Sequence, residues 1–369
     1  MKKLLTIAAL TASTFTAQAE VRINGFANLI GGITSSDETL YGYNDKISFS
    51  EESLFAVQVS GDINDKMTAT GQIVARADND YKAEFEWAYI TYNANDNVSI
   101  SAGRLRLPLF KYSTSLDVGY SHHWVNPPQS VYNVPFNNIE GIRADYSNYS
   151  GDWEYNLQLA FGTYYTETEL FTLTGKDVVV FTAEAQNEGF KIRGVAGRGK
   201  STFTVPDLEP IFAGVEPFIS PDLLNNLRYE RSTGIFLGLG LEYDAYDWFV
   251  SSEITSIDTE NSYLAEDIAY YVTAGMRFGK FTPSLTYEAK DSDDDLKFAD
   301  QINPLPASLQ GTIAVLESTF ADDNETITLA IRYDMDTNVA LKADISKYSD
   351  NLAESNDATL VRVAVNYVF

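Results

Sequence analysis

The stretch that decides the fold is LVRVAVNYVF, residues 360–369. Its large apolar side chains occupy alternate positions: Val361, Val363, Val365, Tyr367 and Phe369. Arg362 and Asn366 fall between them, on the other face of an extended chain. Because successive side chains of a strand point to opposite sides, this pattern predicts a strand with one apolar and one polar face. The apolar face would meet either a protein core or lipid.

Four further segments show the same alternation: residues 153–161, 235–243, 268–278 and 327–333. Each is roughly ten residues long, which is the length a tilted strand needs to cross a bilayer. Their apolar faces often begin or end on Trp, Tyr or Phe, as the aromatic girdles of a membrane barrel do. The chain has 23 Tyr and 21 Phe, and no Cys. The pattern therefore favours membrane strands, in a protein that does not depend on disulfides.

The first nineteen residues, MKKLLTIAALTASTFTAQA, have the organisation of a secretory signal. Two lysines precede an apolar run, and Ala17-Gln18-Ala19 forms a small-x-small cleavage site. We therefore expect residues 1–19 to be removed and residues 20–369 to form a single domain. Beyond the signal the sequence has no apolar run of 18 residues, so a transmembrane helix is not expected.

Short polar turns alternate with long acidic stretches along the chain. The predicted turns are residues 62–65, 93–97, 148–152, 187–189, 244–247, 279–280 and 334–338. The predicted long stretches lie near residues 34–51, 77–83, 109–138, 164–177, 199–232, 257–267, 291–326 and 348–357. Seven turns join eight hairpins, so we expect sixteen antiparallel strands, with short periplasmic turns and long external loops. Misreading one pair would give fourteen or eighteen strands.

Closure of the sheet follows from the lipid environment. An open edge in hydrocarbon would leave unpaired backbone groups, so residues 21–34 should pair with residues 358–369. The predicted fold is thus an all-β transmembrane antiparallel barrel. At about sixteen strands its interior is too wide for side chains to fill, which leaves an aqueous channel.

Three segments resemble the general porins of Gram-negative bacteria, which are sixteen-strand trimeric channels. They are VRINGFANLIGG (21–32), AGRLRLPLF (102–110) and VNYVF (365–369). The resemblance implies a location in the outer membrane, a homotrimer, and a third loop, near residues 108–137, folded into the lumen. It also implies that Tyr367 and Phe369 belong to a signal that the barrel-assembly machinery recognises. Enterobacterial members carry a Pro-Glu-Phe-Gly-Gly type motif in this loop, where this chain has SLDVGY.

Basic side chains are expected along the lumen, because an Arg in lipid at the midplane costs roughly 2–4 kcal/mol. Alternation assigns to that side Arg76, Arg104, Arg106, Arg143, Arg277, Arg332, Lys342 and Arg362. Lys111 and Asp117, the only acid of residues 108–137, would join them at the constriction. Placing Arg104 inside and Leu105 outside requires a change of phase, for which Gly103 offers a bulge. Two interpretations remain: a basic strip that sets a transverse field, or ordinary lumen polarity paired with acids on neighbouring strands.

Charge and histidine content limit other functions. The formal charge of −26 argues against nucleic acid as a partner. The acidic loops are either solvated or bind Ca²⁺ or Mg²⁺, bridging to lipopolysaccharide or between loops; no other cofactor is expected. His122 and His123, the two histidines, lack an obvious ligand set and should pack within the third loop. A hydrolase would need one of them beside Ser121 or Ser130, and neither serine lies in a nucleophile-elbow motif.

These observations predict a non-enzymatic channel for passive diffusion of small hydrophilic solutes and ions. One alternative is a porin selective for sugars or anions, which an aromatic track or a dense arginine ladder in the lumen would distinguish. The other is a membrane-barrel hydrolase, which would need a serine and a histidine at hydrogen-bond distance.

Overall fold

The computed structural model describes residues 20–37, 39–260, 262–292 and 296–369. Sixteen antiparallel strands within these ranges form a closed barrel, which confirms the predicted fold and strand number. The export signal predicted for residues 1–19 lies outside the described residues. No helix in the described ranges is long and apolar enough to cross a lipid bilayer.

The strands are β1 (Val21–Thr34), β2 (Leu54–Asn64), β3 (Met67–Arg76), β4 (Ala83–Asn93), β5 (Val98–Arg106), β6 (Asn138–Ser150), β7 (Trp153–Glu167), β8 (Thr172–Asn187), β9 (Phe190–Thr204), β10 (Ser232–Asp244), β11 (Trp248–Thr259), β12 (Asp267–Met276), β13 (Phe281–Ser292), β14 (Asn324–Asp336), β15 (Val339–Asp350) and β16 (Ala358–Val368). Short helices lie in the loops: α1 (Gln129–Tyr132), α2 (Glu209–Val215), α3 (Pro221–Leu227), α4 (Ala299–Ile302) and α5 (Ala307–Thr319).

The first and last strands close the barrel, as the need to pair every edge in lipid predicted. Their register runs from Phe26 opposite Val368 to Thr34 opposite Leu360. Phe369 extends the ladder, because its backbone exchanges two hydrogen bonds with Gly25, of 2.9 and 3.0 Å. Its ring stacks on Phe55 at 6.0 Å. A side chain at position 25 would overlap this ring, so glycine is required there.

The two faces of the wall differ as the alternation predicted. On β16, Val363 is 53% exposed while Arg362 beside it is 5% exposed. The exposed positions of neighbouring strands are also apolar, so they form a continuous outer surface suited to lipid. The inner positions are buried because loops fill much of the lumen.

The connections alternate between short turns on one side of the barrel and longer loops on the other. The predicted long stretch at 164–177 is an exception, since β7 and β8 continue through most of it and leave only residues 168–171 between them. Helices α2, α3, α4 and α5 lie in the loops after β9 and β13, on the long-loop side. Their buried side chains join one hydrophobic cluster with the loop between β5 and β6 and with part of the inner wall.

Candidate functional site: a loop held inside the barrel

The loop between β5 and β6, residues 107–137 and hereafter L3, folds into the lumen, as the resemblance implied. Its Trp124 donates a hydrogen bond of 2.8 Å to the hydroxyl of Thr286 on β13. The hydroxyl of Tyr132 donates to Glu253 on β11 at 2.5 Å. A side chain at Gly119 would come within 2.3 Å of Asn366 on β16, so the L3 backbone rests directly on the wall there. L3 therefore reaches walls on different sides of the barrel and narrows the space between them.

Three cations of the inner wall hold the L3 backbone, two of them buried and Arg332 partly buried. Lys342 on β15 donates to the carbonyls of Gly119 and Trp124, the latter at 2.7 Å. Arg332 on β14 donates to the carbonyls of Tyr120 and His122. The carbonyls of Gly119 and Tyr120 belong to a single 3₁₀ turn, Gly119–Ser121, and buried carbonyls need partners where little water reaches them. Hydrogen bonds from charged donors are among the strongest that a protein offers, so they fix this part of L3 in place.

The third of these cations is Arg193 on β9, which the sequence reasoning missed. Its guanidinium donates to the carbonyls of Pro108 and Leu109 at 2.6 and 3.0 Å, at the start of L3. The sequence pattern does indicate this position, because Lys191 and Arg193 alternate with the apolar Phe190 and Ile192. That alternation assigns Arg193 to the lumen by the same rule that was applied elsewhere.

Asp117 is the centre of a cluster of paired charges. Its two carboxylate oxygens accept from Arg76 at 2.9 Å and from Arg106 at 2.6 Å. Both arginines also contact Glu86, at 2.9 and 3.1 Å. Burial by itself would raise the pKa of Asp117, but the charges of Arg106 and Arg76 outweigh it and hold the pKa below its ordinary value. Two arginines and two acids here balance, so Arg76 and Arg106 do not add free positive charge to the passage.

Arg104 lies at the outer end of this charge cluster. It lines one cavity with Arg76, Glu86 and Asp117, and its guanidinium donates to the carbonyl of Glu86 at 3.2 Å. It is in register with Glu140, and the two exposed side chains form an ion pair of 3.1 Å. Arg104 is therefore a residue of the long-loop rim.

The predicted change of phase at Gly103 is wrong. Gly103 has the positive φ of 137°, but the register of β5 with both neighbours continues through it without a shift. Leu105 consequently points inward, where it is fully buried in the main hydrophobic cluster. The prediction assumed that a large apolar side chain must face lipid. In this barrel an apolar side chain also finds partners inside, against L3.

The remaining predicted cations are also paired. Arg362 contacts Asp344 on β15 and Glu52 of the first loop, each at 2.9 Å. Arg143 pairs with Asp145 at 3.0 Å, at the middle of β6. Lys111 in L3 contacts Glu242 on β10 and donates to Ser251 at 2.7 Å. Glu52 could not be identified beforehand, because a loop carries no alternation that would show its direction.

The histidines are packed inside L3. The ring of His122 lies 2.8 Å from the carbonyl of Ser115, and His123 packs against Trp124 with ring centres 3.8 Å apart and ring planes tilted by 42°. Burial lowers the pKa of His122 to about 3, assisted by the nearby charge of Lys342. Within the described ranges, no three His, Asp or Glu side chains are arranged to hold a metal ion. Residues 293–295 of the acidic run at 291–295 are outside those ranges.

Two polar cavities lie toward opposite ends of the barrel, and the lining of the smaller includes Asp117 of L3. The larger, of about 820 Å³, opens at the short-turn end of the barrel. Its charged lining comprises Glu188, Glu242, Asp244, Asp247, Lys191 and Arg277. The smaller, of about 260 Å³, lies at the long-loop rim, where its charged lining is Arg76, Arg104, Glu86, Asp117 and Glu140. Acidic residues outnumber basic residues by two in the larger cavity and by one in the smaller.

A closed barrel with an apolar outer face, an internal loop and polar cavities toward both ends defines a membrane channel. A protein-family model described as Gram-negative porin matches residues 5–369. The chain belongs to the Gram-negative porin family. It is an outer-membrane channel for passive diffusion.

Solved structures agree on the fold at low sequence identity. The outer-membrane channel DcaP of Acinetobacter baumannii has a TM-score of 0.63 and 12% identity, over 96% of this chain and 98% of that one. An anion-selective porin from Comamonas acidovorans has a TM-score of 0.57 and 12% identity, over 95% and 100%. The trimer form of OmpT from Vibrio cholerae has a TM-score of 0.56 and 10% identity, over 95% and 99%. A comparison with curated proteins gives no match.

Proposed function

We propose that this porin passes small hydrophilic solutes and ions and weakly prefers cations. The observation that carries the proposal is the charge of the two polar cavities toward the ends of the barrel, where acidic residues outnumber basic ones. The predicted basic strip does not oppose this preference, because Arg76, Arg106 and Arg362 each contact two carboxylates. The excess is small, so the preference should be modest and should fall as salt screens the charges.

The test is single-channel recording in planar bilayers, with the reversal potential measured across a salt gradient. A modest cation preference is expected, which weakens when both salt concentrations are raised. An anion preference at every concentration would contradict the proposal. It would favour the alternative of an anion-selective porin, a function that the similar structure from Comamonas acidovorans is described as having.

We also propose that the chain makes and breaks no covalent bond. The serine hydroxyls considered for catalysis are used otherwise: Ser121 donates to the carbonyl of Val118 at 2.7 Å, and Ser130 contacts Asn324 at 3.5 Å. A nucleophile would instead need a base at hydrogen-bond distance. Incubation of the purified protein with ester and peptide substrates should give no turnover above a heat-denatured control.

Export, assembly and partners complete the proposal. Residues 1–19 would direct export, and the strand ending at Tyr367 and Phe369 would be recognised by the assembly machinery. The trimer form of OmpT supports a homotrimer. Lys176, Arg198 and Lys200 are exposed near the long-loop ends of β8 and β9, and this supports contact with lipopolysaccharide phosphates. Cross-linking in outer membranes would test the homotrimer. Analysis of the lipid that copurifies with the protein would test the contact with lipopolysaccharide.

A further inference from the structure

The lumen contains a third cavity, of about 340 Å³, whose lining is mostly apolar. It lies on the long-loop side of L3, with Leu109 and Val131 of L3 on one side. The wall contributes Val180 on β8 and Phe236 on β10, and Phe320 closes it from the loop before β14. Its volume falls in the usual range for ligand pockets of proteins, which are mainly apolar with a few polar groups.

This cavity interrupts the polar lumen expected of a simple aqueous channel. The inner positions of β8 and β10 carry Val178, Val180 and Phe236, whereas those of β13 to β15 carry hydroxyls and charges such as Thr286 and Lys342. Apolar inner residues are stable only if something covers them, and L3 and the external loops cover them incompletely. An apolar cavity of this size is a favourable place for an apolar group to displace weakly held water.

Missing side chains create the space. Gly197 on β9 and Gly234 on β10 both line the cavity. A methyl group at position 234 would meet nothing nearer than the hydroxyl of Ser201 at 3.9 Å. Its backbone does not need glycine, because it is not among the residues with positive φ. A larger residue at 234 would therefore occupy the cavity with little disturbance of the wall.

One edge of the cavity is charged. Lys290 on β13 pairs with Asp267 on β12 at 3.0 Å and with Asp322 at 3.2 Å. Lys290 and Asp267 line the cavity directly. Arg198 also lines the cavity, but alternation along β9 places its exposed side chain on the outer face. The lysine between two carboxylates therefore leaves one unbalanced negative charge inside, which attracts a cation and repels an anion. A ligand that suits both parts has an apolar body and a positively charged end.

We propose that this cavity binds small cationic molecules with an aromatic or branched aliphatic body, before they enter the passage beside L3. The inference rests on the proposed passage of solutes through the barrel, and it adds a solute class that the polar cavities do not define. Burial of the apolar body of the ligand would provide most of the affinity, and the carboxylates of Asp267 and Asp322 would make the cavity selective for a positive charge.

Three probes with one ring test the charge preference: 2-phenylethylamine, 2-phenylethanol and phenylacetate. Binding to the full-length porin in lipid nanodiscs, which avoid competing detergent, is measured by isothermal titration calorimetry. The amine should bind best and phenylacetate worst. Equal affinities for amine and phenylacetate, or no binding of the amine, would overturn the proposal. A normal salt conductance of the same purified protein in planar bilayers would show that the channel function itself had survived.

Two leucine variants test the location. Gly234→Leu fills the cavity and should weaken binding of the amine about tenfold or more, since the ring loses its buried surface. Gly194→Leu is the matched control, because position 194 lies on the outer face of the adjacent strand β9 with nothing within 4 Å of an added methyl group. It should leave binding unchanged. Retained binding in Gly234→Leu, or equal loss in both variants, would place the site elsewhere and refute the proposal.

Discussion

Replacing Lys342 with methionine removes a buried cation without creating a large void, since the two side chains are similar in length. The ammonium group donates to the carbonyls of Gly119 and Trp124, and the residue is 4% exposed. The carbonyl of Gly119 also accepts from the backbone N–H of His122 at 3.1 Å, so the Trp124 carbonyl is the acceptor that loses its donor. A buried acceptor left without a partner costs about 1–3 kcal/mol. Even the lower value would shift the equilibrium between attached and displaced L3 roughly fivefold. Lys342→Met should therefore let L3 leave the wall more often.

Single-channel recording measures this effect as transitions between conductance levels. The fraction of time spent away from the main level should rise by at least roughly the same factor of five, from the small value that the native channel shows. Lys347→Met is the control, because Lys347 is exposed on the same strand, outside the lumen. Circular dichroism would establish that both variants keep the barrel. If Lys342→Met recordings matched native ones in a folded protein, Lys342 would not hold L3, and the assignment of the buried cations as anchors would fail.

Further predictions concern the charge cluster, salt, the last strand and acid. Arg106→Gln should shift the reversal potential toward cations, because Asp117 and Glu86 lose a partner, whereas Arg104→Gln at the rim should change it much less; equal shifts would contradict the two placements. Cation preference should fall when salt rises from about 0.1 to 1 M, because the screening length shrinks from about 10 to 3 Å. Phe369→Ala should lower the amount assembled in outer membranes while purified protein still refolds in detergent, whereas Phe281→Ala, another exposed aromatic, should not lower it. Burial depresses the pKa of His122 to about 3, so in the folded protein this ring stays neutral over a pH range in which it is already protonated in the unfolded protein. The free energy of unfolding should therefore fall as the pH drops from about 6.5 toward 3, and this pH dependence should be weaker in His122→Asn.

The outer surface of this porin could be predicted from the sequence, because lipid and water act on each side chain separately. Alternation alone predicts that Val363 lies on the outer face and Arg362 on the inner face of the barrel. The same rule predicts the inner position of Arg193. The need to pair every strand edge in hydrocarbon then required closure of the first strand on the last. Short turns and long loops are also local features, so their alternation predicted the strand number.

The interior depended on the tertiary structure, because its contacts join residues far apart in the chain. The hydrogen bond from Lys342 to the carbonyl of Gly119 joins residues 223 positions apart, and the sequence around either residue does not predict it. Asp117 neutralises Arg76 and Arg106 only because L3 turns back toward them, a path that no periodicity encodes. Leu105 was assigned to lipid since apolar residues usually face it, yet L3 provides a second apolar environment inside. Once a loop fills the lumen, an apolar side chain can be stable on either face of a strand, and only the packed structure decides which.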